Sequence, residues 1–450
     1  MVKKTCNNYP LNAMSKFTRR RLIQTGLATG AALATARCGN SEAPVGTPDN
    51  PAAGPEVNAN NAKDVTLRLI GTGVSQINKI RDKAQEDLGF KLDMRALSTE
   101  ENNQIAITQP GQYDIFDGEY FSLPLVVPSG NLRPIEVAKI KNWDKIVPFF
   151  TSGEFEGMPV ENSQGTAPYK VMYLTGPEST EFSETPTDHA TLIPFQYNAD
   201  TLGYRPDLVS KEITSWGDLF DPEFEGKTSI LDIPQIGIMD AAMVAESLGL
   251  MTFADKGNMT QAEIDQITDI LKEQKAKGQF RAFWKTFDES VNLMTSGEVV
   301  LQSMWSPAVA AVQSQGIECV YAPLKEGYRG WGGGVGLSQN LSGIELEAAY
   351  EYLNWMLDGW VGAFLGRQGY YSAAPETAKA FMSEAEWAYW YEGKAAPEDI
   401  VDPFGKTLAK EGTVRDGGTF EERFGNIVVW NSTMDENTYL VQKWNEFVAS

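Results

Sequence analysis

The chain has 450 residues, of which 42% are hydrophobic and 22% are charged, a balance typical of a globular protein with two or more core units. The formal net charge of −22 disfavours nucleic-acid binding and adhesion to anionic lipid through a basic patch. The one histidine, His189, excludes a metal site built on paired histidines and disfavours a Ser-His-Asp triad.

The first 36 residues are predicted to be an export signal. Arg19, Arg20 and Arg21 precede a weakly apolar run that extends from Leu22 to Ala36, an order typical of twin-arginine signals. The run is too short, and too poor in large apolar residues, to span a bilayer. A cytosolic protein with a basic tail is the alternative interpretation.

The end of this signal has two interpretations. Ala34-Thr35-Ala36 fits a cleavage site, whereas Cys38 would be the acceptor in a lipidated protein. Arg37 favours simple cleavage, because lipoprotein signals normally carry a small residue before the cysteine. Residues 37–63 are rich in Gly, Pro, Ala and Asn and predict a flexible tether. Cys319 lies in an apolar run and is expected to be a buried thiol without a disulfide partner.

Beyond the tether, predicted strands and helices alternate. Strands are predicted at 65–70, 90–96, 113–116 and 299–305, with a loop followed by a strand over 226–232. Helices are predicted at 75–87, 236–248, 261–277 and 344–357. This alternation predicts an α/β protein with mainly parallel sheets flanked by helices, whose ligands bind beyond the carboxyl ends of the strands. The glycine-rich stretches 71–73 and 330–334 lack the spacing of nucleotide-binding loops and are predicted to be turns.

Four segments resemble one family, the bacterial extracellular solute-binding proteins of ABC importers, and within it the spermidine/putrescine-binding proteins. These segments are Ile193–Tyr204, Ser215–Lys227, Ser296–Trp305 and Gly369–Pro375. The resemblance implies a periplasmic, monomeric receptor without cofactor, metal or catalysis, which closes on a small solute and delivers it to an ABC permease in the inner membrane.

The same resemblance implies two α/β lobes joined by a hinge. Lobe 1 is expected to comprise residues 64–196 plus 306–340, and lobe 2 residues 197–305 plus 341–450. The chain is expected to cross the hinge near 195–198, 305–308 and 338–344.

The resemblance also implies a ligand site made of rings and few acids. The expected ligand-binding residues are Glu119, Tyr120, Phe121, Tyr197, Asp232, Trp305, Trp331, Tyr370 and Trp430. Gly333, Ile233 and Ile236 stand where the family carries carboxylates, and Asp232 is one residue out of register. Aromatic rings attract diffuse cations but cannot replace the hydrogen bonds of a compact ammonium group. The sequence therefore predicts a small organic cation with at most one primary ammonium end.

Several other functions stay open at this point. The ligand is alternatively a quaternary ammonium, a betaine or an amino-acid-like solute whose carboxylate pairs with Arg367 or Arg423. A sensor with the same fold is a further alternative. An exported enzyme is disfavoured, because the sequence offers no metal cluster, nucleotide loop or nucleophile–base pair.

Exported protein should begin at Arg37. The arginine run and the small residues at positions 34–36 predict removal of residues 1–36. Intact-mass spectrometry of the secreted protein measures this directly, and a mass that retains Met1 to Ala36 would contradict it. An added diacylglycerol on Cys38 would support the lipoprotein alternative.

Overall fold

The computed structural model describes residues 61–159 and 163–450, with side chains described outside 158–162. The predicted export signal, Cys38 and the tether up to residue 60 lie outside these residues. Within the described ranges, no helix has both the length and the apolar character needed to cross a bilayer.

Helices of the described chain carry labels in chain order. They are α1 (Asn78–Leu88), α2 (Thr99–Thr108), α3 (Leu123–Val126), α4 (Pro148–Ser152), α5 (Pro234–Ser247), α6 (Gln261–Ala276), α7 (Phe287–Ser296), α8 (Ser306–Gln313), α9 (Gly343–Leu357), α10 (Trp360–Gly366), α11 (Pro375–Lys379), α12 (Glu384–Trp390), α13 (Phe420–Gly425) and α14 (Asn437–Ala449).

Strands are labelled in the same way. They are β1 (Thr66–Gly71), β2 (Lys91–Ala96), β3 (Ile115–Glu119), β4 (Leu132–Arg133), β5 (Ile135–Glu136), β6 (Glu154–Phe155), β7 (Met158–Pro159), β8 (Gln164–Gly165), β9 (Tyr173–Leu174), β10 (Phe182–Ser183), β11 (His189–Ala190), β12 (Ile193–Tyr204), β13 (Thr228–Leu231), β14 (Phe280–Trp284), β15 (Leu301–Met304), β16 (Val320–Tyr321), β17 (Tyr328–Ser338), β18 (Tyr371–Ser372), β19 (Ile400–Val401), β20 (Thr407–Ala409) and β21 (Ile427–Trp430).

The main sheet has parallel ends joined by two long antiparallel strands. Its order is β14-β13-β15-β12-β17-β3-β1-β2. Strands β1, β2 and β3 run parallel at one end, and β13, β14 and β15 run parallel at the other. Between them, β12 and β17 pair with each other along residues 193–200. The predicted α/β class, with mainly parallel strands flanked by helices, is confirmed.

Hydrophobic packing forms separate cores along this sheet. One core joins β1 and β3 to α9, and includes Leu69, Ile115 and Leu353. A second joins α5, α6 and α14, and a third joins α7 and α8 to β15. Helix α9 thus packs with the first strands, and α8 packs with β15. The lobe boundaries stay a prediction.

The glycine-rich stretch predicted as a turn is part of β17. A Cβ atom added at Gly334 would lie 2.8 Å from the Leu192 side chain, and one at Gly336 would lie 2.5 Å from it. Glycine is required here because Leu192 packs directly on the backbone of β17. These glycines therefore allow close packing and do not form a turn. Cys319 is a buried free thiol, as predicted.

A buried charge network ties the two long strands together. Arg329 of β17 lies opposite Asp200 of β12 in the strand register. Its Nε donates to Asp240 Oδ1 of α5 at 2.7 Å, and its Nη1 donates to Asn431 Oδ1 at 2.8 Å and approaches Asp200 Oδ2 at 3.4 Å. Arg329 and both carboxylates are at most 1% exposed. Burial raises the pKa of Asp200 to about 6, although Arg329 opposes the rise.

Arg329→Met should lower the free energy of unfolding by about 3–5 kcal/mol, because it leaves two carboxylates buried without their cation. Urea denaturation of the ligand-free protein measures the loss. Arg281→Gln removes an exposed pair with Glu298 and serves as control, with an expected change below about 1 kcal/mol. Equal stability of Arg329→Met and the control would show that the network does not hold the strands.

Candidate functional site

Polar side chains line one face of the sheet where β3, β17 and β12 meet. Glu119, the last residue of β3, is in register with Gly333 of β17, which is in register with Gln196 of β12. The next pair on that face joins Trp331 to Asn198, because alternate residues of a strand point to the same side. We call Glu119, Gln196, Trp331 and the neighbouring Tyr370 the crossing site.

Glu119 supplies the carboxylate of the crossing site. Its Oε2 accepts a hydrogen bond from Thr99 Oγ1 at 2.7 Å, and Thr99 begins α2. Burial raises the pKa of Glu119 to about 7, while Thr99 and Arg329 act in the opposite direction. The carboxylate is therefore partly desolvated and would gain from a cationic partner.

Glycine and an amide lie beside this carboxylate. A Cβ atom at Gly333 would lie 3.3 Å from Gln196 Nε2, so a side chain at this position would press on the Gln196 amide. Gln196 is 2% exposed, and its Oε1 has no hydrogen-bond partner within the described ranges. An unpartnered buried amide oxygen is a free acceptor that favours a ligand with a donor group.

Two aromatic rings form the wall of the site. The Trp331 and Tyr370 ring centroids are 5.9 Å apart, with the ring planes at 82°. Asn198 Nδ2 donates to the Gly369 carbonyl at 3.0 Å and so fixes the backbone next to Tyr370. Burial, with a smaller contribution from Asp200, raises the pKa of Tyr370, so its hydroxyl stays neutral. Both rings are half-buried.

Trp305 lies on the side of β12 that faces away from β17. It follows β15, and its ring packs edge-on against Trp284 at 4.8 Å between centroids. The backbone amide of the next residue, Ser306, donates to Asp200 Oδ1 at 3.2 Å. The half-buried Trp305 is thus anchored to the same strand β12 that carries Gln196 and Asn198.

Other expected site residues are packed inside the protein. Tyr120 donates its hydroxyl to the Leu192 carbonyl at 3.2 Å, and Tyr197 is fully buried among aromatic rings. Trp430 stacks on Phe149 at 4.8 Å between centroids. These three rings are in the first core. Phe121 is buried as well, with 7% exposure.

The charged candidates other than Glu119 already have partners. Asp232 accepts a hydrogen bond from Trp444 Nε1 at 2.7 Å and pairs with Lys285 at 3.2 Å. Arg367 pairs with Glu386 at 2.5 Å. Arg423 is 1% exposed, and its guanidinium covers the Tyr321 ring at 3.8 Å.

A second carboxylate, which the sequence interpretation did not single out, lies two residues before Glu119 on β3. Asp117 of β3 accepts hydrogen bonds from Ser75 Oγ and from Gln76 Nε2. A Cβ atom at Gly71 would lie 2.8 Å from the Asp117 side chain, so the first glycine of the 71–73 loop makes room for this group. Burial raises the pKa of Asp117 to about 7, and the charge of Glu119 adds to the rise.

The sequence interpretation also did not identify three polar residues of β12 as site residues, namely Gln196, Asn198 and Asp200. Their signal is the polar residue at every second position of an otherwise apolar strand, from Phe195 to Asp200. In a strand buried on both faces, such alternation indicates a polar strip. The sequence alone did not show that the strip meets Trp331 and Arg329, because that depends on the register with β17.

Glu119→Gln should stabilise the protein at pH 8 but not at pH 4. The pKa of Glu119 lies at about 7, above its ordinary value of 4.5, so the folded protein binds this proton more tightly than the unfolded chain. The stability that this group contributes is complete below about pH 4.5 and is lost as the pH rises through 7. Because one pKa unit corresponds to about 1.4 kcal/mol and the side chain is partly exposed, we expect a gain of about 1–2 kcal/mol at pH 8.

Urea denaturation at the two pH values measures this difference. Glu298→Gln, which alters an exposed carboxylate paired with Arg281, is the matched control and should not stabilise the protein at pH 8. A Glu119→Gln protein less stable than wild type at pH 8 would contradict the assignment of a desolvated carboxylate.

The curated relatives include the spermidine/putrescine-binding periplasmic proteins of Escherichia coli (strain K12) and Salmonella typhimurium. Each is 28% identical over 167 residues, which are 37% of this chain and 44% of the relative. The matched segment thus spans less than half the length of these relatives.

Solved structures share the fold at low sequence identity. A putative spermidine/putrescine ABC transporter protein from Listeria monocytogenes superposes with a TM-score of 0.58 at 16% identity, over 85% of this chain and 98% of the other. A spermidine/putrescine substrate-binding protein from Streptococcus pneumoniae gives a TM-score of 0.56 at 15% identity, over 85% and 99%. These similarities confirm the predicted two-lobed binding-protein fold.

The family described as "Bacterial extracellular solute-binding protein" matches residues 79–389. This match covers most of the chain and includes β3, β12, β15, β17 and the Tyr370 segment. It confirms the family resemblance found in the sequence, and it identifies a binding protein and not an enzyme. The chain belongs to the bacterial extracellular solute-binding protein family.

Proposed function

We propose that this protein is the solute-binding receptor of an ABC importer and that it captures a small organic cation at the crossing site. The observation that carries the proposal is the partly buried carboxylate of Glu119 on the same sheet face as the half-buried Trp331 ring. A cation at this position would gain from the carboxylate and from the rings together. The similarity to spermidine/putrescine-binding periplasmic proteins supports a cationic solute.

The charge distribution favours one ammonium end over two. Asp200 and Asp240 share Arg329, and Asp232 is paired with Lys285. Among the described residues, only Thr99 donates a hydrogen bond to the Glu119 carboxylate. The buried Asp117 already accepts from Ser75 and Gln76, so a second compact ammonium would lose its hydration without gaining an unpartnered carboxylate. The preferred ligand is therefore a compact cation with at most one primary ammonium, or a quaternary ammonium.

Hinge closure is the proposed mode of capture. Strands β12 and β17 connect the two ends of the sheet, and Trp305 and Glu119 lie at opposite ends. A ligand held between them favours the closed state by the difference between its affinities for the closed and open states. The closed form then docks on the periplasmic side of an ABC permease, as the predicted export signal implies.

A ligand screen followed by calorimetry tests the proposed solute. Thermal-shift measurements identify binders among amines, betaines and amino acids, since a ligand at 100 times its dissociation constant adds about 2.7 kcal/mol. We expect a mono-ammonium or quaternary cation to bind more tightly than spermidine or putrescine. Submicromolar spermidine binding would overturn the single-ammonium proposal, and the absence of any cationic ligand would overturn the cation class.

Polyamine binding is the second candidate, and Asp117 is the observation that favours it. Asp117 precedes Glu119 by two residues on the same strand, and the charge of Glu119 helps to raise the pKa of Asp117. A polyamine that used both carboxylates would bind much more weakly to Asp117→Asn as well as to Glu119→Gln. Under the single-ammonium proposal, only Glu119→Gln loses most of its affinity.

Trp331→Ala and Trp305→Ala should each weaken ligand binding at least roughly tenfold, a loss of about 1.4 kcal/mol. Each removes a half-buried ring that is proposed to face the cation, so the ligand-free melting temperature should change little. Trp143→Ala, which removes another half-buried tryptophan that packs edge-on against Tyr173, is the matched control and should retain affinity. A sharp fall in the ligand-free melting temperature of Trp331→Ala would instead make Trp331 a core residue.

A further inference from the structure

A small cavity between α8 and the segment that carries α12 and α13 contains two buried arginines. The cavity has a volume of about 20 Å³, enough for one species of about the size of a water molecule. Arg415 is 6% exposed and Arg423 is 1% exposed, and both line the cavity together with Ser306 and Trp390. None of the four residues of the crossing site lines it.

Both guanidinium groups donate only to uncharged oxygens. Arg415 Nη1 donates to the Tyr371 hydroxyl at 2.8 Å and to the Trp390 carbonyl. Arg423 Nη1 donates to the Asp416 carbonyl at 2.9 Å, and its Nη2 donates to Ser306 Oγ at 2.5 Å. Within the described ranges, neither guanidinium forms an ion pair with a carboxylate. Guanidinium groups stay protonated even when buried.

The lining carries two guanidinium groups and one carboxylate. Asp416 also lines the cavity, but its Oδ2 accepts from the Tyr321 amide and from Gln313 Nε2. Asp200 lies beyond Ser306 and is in register with Arg329. Asp200 also interacts electrostatically with Arg423. Burial and the charge of Arg423 lower the pKa of Arg415, as expected for two cations held close together.

Unused hydrogen-bond donors belong to the same lining. Arg423 Nε and Trp390 Nε1 are buried and have no hydrogen-bond partner among the described residues. Ser306 accepts from Arg423 through Oγ, so its hydroxyl hydrogen is available to an acceptor. A cavity lined by two guanidinium groups and by unused donors favours an anion over a cation.

We propose that this cavity binds a small monovalent anion of the halide class, with chloride as the abundant member. The anion would accept from Arg423 Nε and Trp390 Nε1. It would link α8, which begins at the Ser306–Asp200 contact, to the 410–425 segment. This is a structural anion site separate from the proposed cation site, and it does not depend on the identity of the transported solute.

Thermal unfolding in bromide tests the proposal on the full secreted protein. Sodium bromide replaces sodium gluconate at constant ionic strength, so that general screening stays unchanged. The wild-type melting temperature should rise with the logarithm of bromide concentration, as specific ligand linkage requires. Arg423→Gln should lose this dependence. Arg367→Gln, which removes a guanidinium paired with Glu386, should retain it.

A wild-type melting temperature that is independent of bromide would overturn the proposal, as would an equal bromide response in Arg423→Gln. Should Arg423→Gln fail to fold, anomalous diffraction from wild-type crystals grown in bromide decides the question. A bromine peak within contact distance of Arg423 Nε supports the site. A cavity filled by water alone, or bromine peaks confined to other places, overturns it.

Discussion

The arrangement of this protein depends on a buried arginine between two carboxylates. Arg329 joins β17 to Asp200 of β12 and to Asp240 of α5. Charges in a protein interior are tolerated only where their geometry satisfies them, so this network specifies one alignment of the two long strands. The same alignment puts Gln196 opposite Gly333 and Asn198 opposite Trp331. The proposed ligand surface thus depends on a register that buried charges hold.

The network also divides the acidic side chains of this region into two groups. Asp200 and Asp240 neutralise Arg329 and remain parts of the scaffold. Glu119 lies at the end of β3 and carries a pKa raised to about 7 by burial. A carboxylate held in this way destabilises the empty protein and gains when a cation arrives. Such a division between scaffold and ligand charges explains how a strongly acidic protein would recognise a ligand with one positive end.

Much of this arrangement was predictable from the sequence. The alternation of strands and helices predicted the α/β class, and motif positions pointed to Glu119, Trp305, Trp331 and Tyr370, which are all half-buried. The same motifs could not separate them from Tyr120, Tyr197 and Trp430. An aromatic residue has the same local sequence pattern whether its ring is buried in a core or partly exposed. Burial of those three rings depends on Phe149 and Phe150, which are distant in sequence.

Long-range pairing accounts for the features that the sequence did not reveal. Asp200 and Arg329 are 129 residues apart, so their contact follows from strand register and not from any local motif. The glycine run at 330–334 suggested a turn because glycine is common in turns. Its actual reason, the close approach of Leu192 to β17, is again a tertiary contact. Asp117 was overlooked for a related reason, since Gly71 makes room for it from a different strand.

A crystal structure of the protein with the tightest ligand from an amine and betaine screen tests the central claim most directly. The account predicts the cationic nitrogen against the rings of Trp331 and Tyr370, with Glu119 as its carboxylate partner and the Asp200–Arg329–Asp240 network unchanged. A ligand bound away from Glu119 and Trp331, or one held through a carboxylate on an arginine, would contradict it.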